Sequence, residues 1–441
     1  MRVNVKKYFE EAHKAGLTPF SLSYGFSKSF SVSTFNGEVE EQKIGISQSI
    51  GGRALYQGKV GYFSSDAIDD STPALMAEAI KESALFGKEE KAENFYHGGK
   101  PYRKVKIDAK AFVPATLKEL REAALALQKK VSAYDPRITK AEIDFAMDTS
   151  EFHKRNDVGM KCQEKRGTFV GSITVVCENE KKEPRTGYRS FYSFTSLADL
   201  VAKGEKEIEK AVHAAVDFFG TGALKGKDYK TVLSPDVVSI LLPYLLSQCN
   251  AKKVHKHLSI YEGKLGTQVT SKHLTLLHTP HAPSIASSSF DGDGVPTQDF
   301  PIIQRGVLKN YFYSLETANE EHIESNGCAS GNGNGSFITL TVKPGKKNLD
   351  ALFAQMKKGI YLTSVSGTNT GIDDQSLFFS LPCEGYVIED GKKAGAFSMT
   401  IASGNLKDLF NDVVAVGSDS EDEDGVFTPS LLVKKIHYAG K

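Results

Sequence analysis

Five histidines are concentrated in one short part of the chain, at His255, His257, His273, His278 and His281. Imidazole nitrogens are common zinc ligands, so two or three of these side chains could converge on a metal ion. Residues two positions apart share a face on a strand but not on a helix, so the spacing of the first pair gives only partial support. No His-Glu-x-x-His sequence adds a general-base glutamate. A metal site and packed or exposed histidines are both compatible with this pattern.

A second stretch with potential chemistry is the glycine-rich segment 331–335, GNGNG. A phosphate-binding loop needs a strand before it and a helix after it. Here the strand-like sequence SFITLTV follows, so a flexible loop is expected instead. Glycine also permits close approach of another backbone, and an exposed strand can accept an extended peptide through main-chain hydrogen bonds. On this basis Gly331, Gly333 and Gly335 are the predicted substrate-binding residues.

Two acidic segments are the next candidates. Residues 291–294, DGDG, resemble the start of a calcium loop, but the sixth and twelfth positions hold Pro296 and Ile302 instead of glycine and glutamate. A tight turn is therefore expected there. The run 419–424 holds five carboxylates in six positions, and mutual repulsion favours a solvated loop. The alternative for this run is a site for a cation or a basic partner.

The cysteines and serines show no motif for nucleophilic catalysis. The Gly-x-Ser-x-Gly elbow of hydrolases is absent. Cys249 is close to His255 only along the chain, and Cys383 lies in a strand-like apolar run. The five cysteines are scattered without a Cys-x-x-Cys pair, which disfavours a zinc ribbon and a disulfide framework. We expect reduced thiols, with Cys383 packed as a small core residue.

Composition limits the class of protein further. The 441 residues carry 55 Lys and Arg against 54 Asp and Glu, a net charge of +1, so binding to nucleic acid by phosphate neutralisation is not expected. The N-terminal residues contain no apolar core of a secretory signal. The most apolar window, 237–246, is about half the length needed to cross a bilayer. These features predict a cytoplasmic protein that does not contact membranes.

The elements that must position these residues fall into two groups. The first part of the chain combines helical spacing with alternating, strand-like runs. Asn36-Gly37 is a strong hairpin signal, and Gly51-Gly52 and Gln57-Gly58 also separate alternating runs. These signals predict a meander of three or four antiparallel strands. Helices are predicted over 3–15, 72–86, 116–132 and 197–219.

The segment 221–230, TGALKGKDYK, is rich in Gly and Lys and follows a helix closed by Gly220. It is the predicted boundary between domains 1–220 and 221–441. After it come a strand at 230–233, a helix over 235–253, and then strands interrupted by glycines. Short helices are predicted near 315–323, 348–358 and 405–411. The predicted fold class is α+β, with an N-terminal mixed helix and antiparallel-sheet domain and a C-terminal Gly-rich, mostly antiparallel β domain.

Three stretches of the second half carry a family resemblance. They are FDGDGVPTQDFPIIQRGVLKNYFYSLETA at 290–318, SGTNTGIDDQSLFFSLPCEGYVIEDGK at 366–392, and IASGNLKDLFNDVVAVGSD at 401–419. The third is similar to the I-A-G-N-L-K-D signature of the TldE/PmbA branch. The chain resembles the TldD/PmbA family, whose active member is a metallopeptidase subunit and which is also described as a modulator of DNA gyrase.

The helix predicted to open the second domain departs from the family pattern. The active TldD branch carries H-E-x-x-x-H on this helix, and a cysteine near the C-terminus completes the metal site. By position, those three residues fall on Leu242, Pro243 and Ser247, and the cysteine falls near Phe427-Thr428. None of these side chains is an imidazole, a carboxylate or a thiol. The prediction for this chain is therefore no catalytic residue, no metal ligand and no cofactor of its own.

The resemblance implies a TldE/PmbA-like subunit of a cytoplasmic metallopeptidase complex. Its partner would be a TldD-like subunit holding zinc or iron, in a heterodimer that encloses a chamber and cleaves small or unfolded peptides. This chain would supply part of the chamber wall and of the peptide-binding surface. Two alternatives stay open. One is a homodimeric peptide-binding protein, and the other is a divergent hydrolase with an unrecognised site, for example the histidines at 255–281.

Overall fold

A computed structural model describes residues 3–105 and 111–440. The described residues form two compact units. One comprises Met1–Phe219 with Asp293–Pro296, and the other comprises Gly220–Gly292 with Thr297–Lys441.

The first unit is built from long antiparallel strands and amphipathic helices. Its helices are α1 (Val5–Lys14), α2 (Thr72–Leu85), α3 (Leu117–Ser132) and α4 (Leu197–Val216). Its strands are β1 (Phe20–Phe35), β2 (Glu38–Tyr56), β3 (Lys59–Ser65), β4 (Ile138–Asn156), β5 (Lys161–Glu178) and β6 (Pro184–Ser193). The strands form one sheet in the order β3-β2-β1-β4-β5-β6, and every pairing in it is antiparallel.

Strand β1 shows how alternation builds this sheet. Its even-numbered side chains are apolar except for Lys28 and Thr34, with Phe20 and Leu22 in one helix-covered core and Val32 in the other. The odd-numbered positions 21–33 hold serines and one glycine. Side chains alternate between the two faces of a strand, so this pattern fixes which face the helices cover.

The turns of this sheet match the sequence signals in part. Asn36 and Gly37 have φ of 48° and 92°, the left-handed conformation that a tight hairpin needs. The interpretation of Gly51-Gly52 as a turn is wrong, because β2 continues through both residues. Gly52 is instead a packing position, where an added Cβ would lie 2.7 Å from the Ile80 side chain of α2.

The second unit contains short helices and many short strands. Its helices are α5 (Pro235–Leu246), α6 (Ala251–His255), α7 (Leu315–Glu320), α8 (Leu349–Met356), α9 (Thr368–Gly371) and α10 (Leu406–Asn411). Its strands are β7 (Lys227–Leu233), β8 (Leu276–His278), β9 (Phe300–Gln304), β10 (Val307–Leu308), β11 (Ala329–Gly331), β12 (Asn334–Gly335), β13 (Leu340–Val342), β14 (Gly359–Val365), β15 (Phe378–Glu389), β16 (Lys392–Asn405), β17 (Val413–Val416), β18 (Glu421–Glu423), β19 (Val426–Thr428) and β20 (Leu431–Ala439).

Two larger sheets and one small hairpin organise these strands. One sheet has the order β10-β9-β8-β13-β19-β18, and β11 pairs with β12 separately. In the other sheet the order is β16-β15-β14-β7-β20-β17, and β16 also pairs with β20. The pairings of β16, β15, β14, β7 and β20 therefore close into a ring. Most pairings are antiparallel, so the predicted α+β class and the mostly antiparallel character of this region are confirmed.

Helix α5 contains Leu242 and Pro243, and Ser247 follows it directly. It begins after Ser234, whose hydroxyl accepts a hydrogen bond from the Val237 amide at 3.3 Å, and Pro235 occupies its first turn. The predicted helix over 235–253 is interrupted. Asn250 has an extended backbone (φ −65°, ψ 114°), and its side chain accepts from the Lys252 amide, so a new short helix, α6, starts there.

No helix in the described part of the chain is long and apolar enough to span a membrane.

Candidate functional site

Leu242, Pro243 and Ser247 are the residues that the resemblance places at the metal-binding positions. Their surroundings are apolar or consist of hydrogen-bond partners within the protein. Leu242 is fully buried in the main core of the second unit. Pro243 lies inside the helix and has no N–H. Ser247 follows the helix; its hydroxyl donates to the Tyr244 carbonyl at 2.9 Å and accepts from Lys253 Nζ at 3.1 Å. These three residues do not fit a metal-binding triplet, because none presents an imidazole or a carboxylate.

The structure brings α5 next to the other position that the resemblance singled out. Helix α5 packs against β18 and β19, and β19 contains Phe427 and Thr428. Thr428 is buried, and its hydroxyl donates to the Pro429 carbonyl at 3.2 Å. Two stretches almost 200 residues apart in sequence are therefore neighbours, as one metal site would require. Both carry side chains that cannot complete such a site.

The acidic run next to this position is not a solvated loop. Residues 421–423 form β18, which pairs with β19 through Glu421 opposite Thr428 and Glu423 opposite Val426. Burial raises the pKa of Asp422 to about 6, and that carboxylate accepts from the Gly425 amide at 2.9 Å. The interpretation as a solvated loop is thus wrong for this part of the run, because the hairpin's backbone pairing outweighs the repulsion.

A trio of carboxylates lies near the N-terminal end of α5, where Asp236 is in the first turn. Ligand oxygens of Asp236, Glu421 and Glu423 lie within 4.8 Å of one another, and no other group of three His, Cys, Asp or Glu residues in the described ranges is as close. Oxygen-only donors suit hard cations such as calcium or magnesium more than zinc. Acidic side chains also cluster without an ion, so the trio by itself assigns no function.

The five histidines do not converge. His255 lies between two carboxylates, with Nδ1 2.7 Å from Glu320 Oε2 and Nε2 2.6 Å from Glu321 Oε1. Its pKa is raised, because these two hydrogen bonds outweigh the opposing effect of desolvation. His257 pairs with Glu262 at 2.7 Å. The two histidines are therefore hydrogen-bonded to separate carboxylates rather than directed at a common zinc ion.

His278 is the most enclosed of the five. It is fully buried, its Nε2 accepts from the Ile338 amide at 3.2 Å, and its Nδ1 therefore carries the proton and donates to the Gln298 carbonyl at 3.0 Å. Burial lowers its pKa to about 4. The imidazole is neutral, and its two hydrogen bonds connect the backbone at Gln298 to the backbone at Ile338.

Cys328 lies beside His278, with Sγ 3.8 Å from Nδ1. Desolvation raises the pKa of this buried thiol far above its usual range. A reactive cysteine needs a depressed thiol pKa, so this pair does not form a nucleophile. Sequence reasoning did not connect the two residues, since they are 50 positions apart. All five cysteines are buried, and none of them forms a disulfide.

The glycine-rich segment is a fixed hairpin rather than a flexible loop. The Gly335 amide donates to Asn250 Oδ1 at 3.1 Å, Ser314 Oγ donates to the Gly333 carbonyl at 3.0 Å, and Lys252 Nζ donates to the Asn332 carbonyl. These contacts hold β11 and β12 against α6 and the start of α7.

The three predicted substrate-binding glycines differ in accessibility. Gly335 is buried, and an added Cβ would lie 2.1 Å from the Phe312 carbonyl oxygen. At Gly333 it would lie 1.9 Å from Glu316 Oε2. Gly331 is exposed, with no atom within 4 Å of that position. Only the tip of the hairpin is therefore open to a ligand, and the substrate-binding role of these residues stays a prediction.

Family models match both parts of the chain. The PmbA/TldA metallopeptidase C-terminal domain matches residues 225–440, and the PmbA/TldA metallopeptidase domain 1 matches residues 21–84. The chain belongs to the TldD/PmbA family. The resemblance inferred from the three C-terminal stretches is thereby confirmed.

One relative matches this TldD/PmbA protein over almost its full length, and another matches about half of it. An uncharacterized protein of Methanocaldococcus jannaschii is 25% identical, covering 98% of this chain and 99% of that one. The metalloprotease PmbA of Escherichia coli O157:H7 is also 25% identical, but over 48% of this chain and 45% of its own length.

Solved structures of TldD/PmbA proteins share the fold. A Thermotoga maritima protein described as a modulator of a DNA gyrase has a TM-score of 0.88 and 25% identity, covering 98% of this chain and 99% of that one. TldE from Thermococcus kodakarensis has a TM-score of 0.84 and 18% identity, covering 99% of each chain. The second likeness concerns the fold alone.

Proposed function

We propose that this chain is the non-catalytic subunit of a cytoplasmic metallopeptidase complex that cleaves small or unfolded peptides. The proposal rests on the family fold together with Leu242, Pro243 and Ser247, the residues that the resemblance places at the positions of the metal-binding motif. A metal in a peptidase activates water, and a carboxylate accepts its proton. The residues at these positions of this chain cannot supply either group.

The partner in this proposal is a TldD-like subunit that carries H-E-x-x-x-H and holds zinc or iron. The two chains form a heterodimer in which this subunit contributes part of the chamber and of the surface that holds the peptide. The likeness to metalloproteases named PmbA supports this assignment. The family motif would then be complete in only one of the two subunits.

Co-purification tests the proposal directly. Tagged, natively expressed chain is expected to bring down a TldD-like protein with an intact H-E-x-x-x-H motif, identified by mass spectrometry. The purified pair should cleave an unstructured peptide in a chelator-sensitive way, whereas this chain alone should not. Chelator-sensitive cleavage by this chain alone would overturn the proposal.

Metal content provides the control for that experiment. The isolated chain is expected to hold less than one zinc or iron per molecule by elemental analysis. A stoichiometric metal that is lost in a His255→Ala, His257→Ala double variant would favour the divergent hydrolase instead. Metal found in the partner after separation of the two chains agrees with the proposed division of roles.

The proposed peptide surface includes the hairpin tip at Gly331, with Gly333 and Gly335 maintaining its shape. An extended peptide would add to a strand edge through main-chain hydrogen bonds, which read the backbone rather than the side chains. We therefore expect broad sequence tolerance and a preference for unfolded segments.

Asn332, exposed at the tip, allows a test that leaves the hairpin intact, since aspartate also tolerates its positive φ of 51°. In the assembled complex, Asn332→Asp should weaken binding of an acidic unfolded peptide relative to a basic one. The control is Gln375→Glu, an exposed position elsewhere in the unit. Unchanged affinities for Asn332→Asp would remove the tip from the binding surface. Equal affinity for folded and unfolded forms of one substrate would exclude strand addition.

A further inference from the structure

The glycine-rich hairpin of β11 and β12 is held between the beginnings of two short helices, α6 and α7. At α6, the Gly335 amide donates to Asn250 Oδ1 at 3.1 Å, and Asn250 Nδ2 donates to Asn334 Oδ1 at 3.1 Å. At α7, Ser314 Oγ donates to the Gly333 carbonyl at 3.0 Å. Asn250 and Ser314 are the N-caps of the two helices. The order of the hairpin therefore depends on α6 and α7 keeping their relative positions.

His255 links the other ends of the same two helices. It is the last residue of α6, Glu320 is the last residue of α7, and Glu321 follows as the C-cap of α7. His255 Nδ1 lies 2.7 Å from Glu320 Oε2, and Nε2 lies 2.6 Å from Glu321 Oε1. These partners are 65 and 66 positions away in sequence, so the ring forms a tertiary link between α6 and α7.

The hydrogen-bonding pattern requires the charged form of the imidazole. The Tyr313 hydroxyl donates to Glu321 Oε2 at 2.9 Å, so both oxygens of Glu321 accept hydrogen bonds. Ionised carboxylates have no proton to donate, so each ring nitrogen must carry a proton to bind its glutamate. A neutral imidazole carries only one N–H and would turn a lone pair towards one of the two glutamates. Loss of the proton therefore breaks one of the two hydrogen bonds.

We propose that His255 is a proton-dependent latch. As the imidazolium it joins α6 to α7 and keeps the glycine-rich hairpin ordered, and its deprotonation at alkaline pH releases the helix ends and loosens the hairpin. The latch is a property of this chain alone and does not depend on the proposed function. If the hairpin tip contacts peptide, the affinity for peptide would follow the same pH dependence.

The charges around the ring set the direction of the pH dependence. Desolvation lowers the pKa of His255, but the hydrogen bonds and charges of Glu321 and Glu320 raise it by more. The folded-state pKa therefore lies above the value of about 6.5 that holds in the unfolded chain. Such a group stabilises the fold fully below about pH 6.5, and this stabilisation is lost as the pH rises through the folded-state pKa.

Two lysines of α6 are directed away from this link. Lys252 Nζ lies 3.7 Å from Glu316 Oε2, and Lys253 Nζ donates to Ser247 Oγ at 3.1 Å. On the α7 side, Tyr313 reaches the ring only through the carboxylate that it shares with His255. The two glutamates therefore dominate the charge that the imidazole meets.

Hydrogen–deuterium exchange of the full chain, read by mass spectrometry of peptides that cover 329–335, tests the latch at about pH 6 and about pH 9.5. Variants are compared at the same pH, so that the intrinsic exchange rate cancels. His255→Gln should exchange on the order of fivefold faster than the wild type at the lower pH, because partly exposed ion pairs are individually weak. At the higher pH the two proteins should exchange at equal rates.

Two further variants separate the proton from the side chain. His255→Arg keeps its charge at both pH values and should protect the hairpin at the higher pH better than the wild type does. Glu320→Gln offers an amide N–H to the unprotonated Nδ1, so it should also flatten the pH dependence. The matched control is His257→Gln, at an exposed histidine that pairs with Glu262 at 2.7 Å, and it should exchange as the wild type does.

Equal exchange of the wild type and His255→Gln at the lower pH would refute the latch. A ratio of these two rates that is the same at both pH values would refute its proton dependence, since the ring would then act only as a packing contact.

Discussion

The Gly335→Val variant is expected to unfold at a much lower temperature than the wild-type protein. A Cβ at this position would lie 2.1 Å from the Phe312 carbonyl oxygen, far inside any normal contact distance. That oxygen already accepts the Ala251 amide at 3.1 Å, and the Gly335 amide donates to Asn250 at 3.1 Å. Moving β12 away would break the hydrogen bond to Asn250, and moving the Phe312 carbonyl would break the one from Ala251.

We expect a destabilisation on the order of 3 kcal/mol or more, because overpacking and hydrogen-bond loss act together. For a unit of this size that corresponds to a fall of roughly 10 °C in the thermal midpoint. Calorimetry or circular dichroism measures it. The matched control is Gly395→Val in β16, where no atom lies within 4 Å of an added Cβ. Equal midpoints for the two variants would show that the hairpin is not fixed against Phe312.

This result also decides how the glycine-rich segment can be studied. A loss of peptide affinity in a Gly333→Val or Gly335→Val complex would reflect a displaced hairpin, since Gly335 packs against the Phe312 backbone and Gly333 has a φ of +73° that valine rarely adopts. At the exposed tip, a substitution can change peptide binding without displacing the hairpin. For that reason Asn332 is the informative position for the binding role.

The second large effect concerns His278 and pH. The folded-state pKa of this histidine is lowered to about 4 by burial; the hydrogen bond to the Gln298 carbonyl and the charge of Asp299 act to raise it, and His281 acts to lower it. The unfolded chain binds the same proton near pH 6.5. Stability from the neutral imidazole is therefore complete above about pH 6.5 and is lost as the pH falls towards 4. The expected loss from this one group is about 3 kcal/mol.

Denaturant unfolding of the wild type and of His278→Gln at several pH values measures this contribution. The variant should be less stable at neutral pH, because it loses the bridge between Gln298 and Ile338, and its stability should fall less steeply between pH 6.5 and 4. His273→Gln, at an exposed histidine five residues before His278, is the control and should keep the wild-type slope. Parallel pH profiles for all three proteins would contradict the assignment of a buried neutral imidazole.

Local sequence signals determined much of the fold. Several of these signals act within a few residues of the chain. They are the helix caps at Thr116 and Ser234, the turn at Asn36-Gly37, and the alternation of side chains along β1. For this reason the helices and the antiparallel strands were predictable. Family membership was also evident from the stretches at 290–318, 366–392 and 401–419. The absence of H-E-x-x-x-H is a property of the sequence itself.

Tertiary structure alone decided the rest, because those features depend on residues far apart in the chain. Gly51-Gly52 has the composition of a turn, but α2 packs closely over Gly52 and keeps β2 straight. The acidic run 421–423 resembles a solvated loop, yet it pairs with β19 beside α5. His278 and Cys328 meet across 50 residues, and the glycine-rich segment is fixed by Asn250, Lys252 and Ser314. Sequence specifies which contacts are chemically suitable; only the packed chain determines which of them are made.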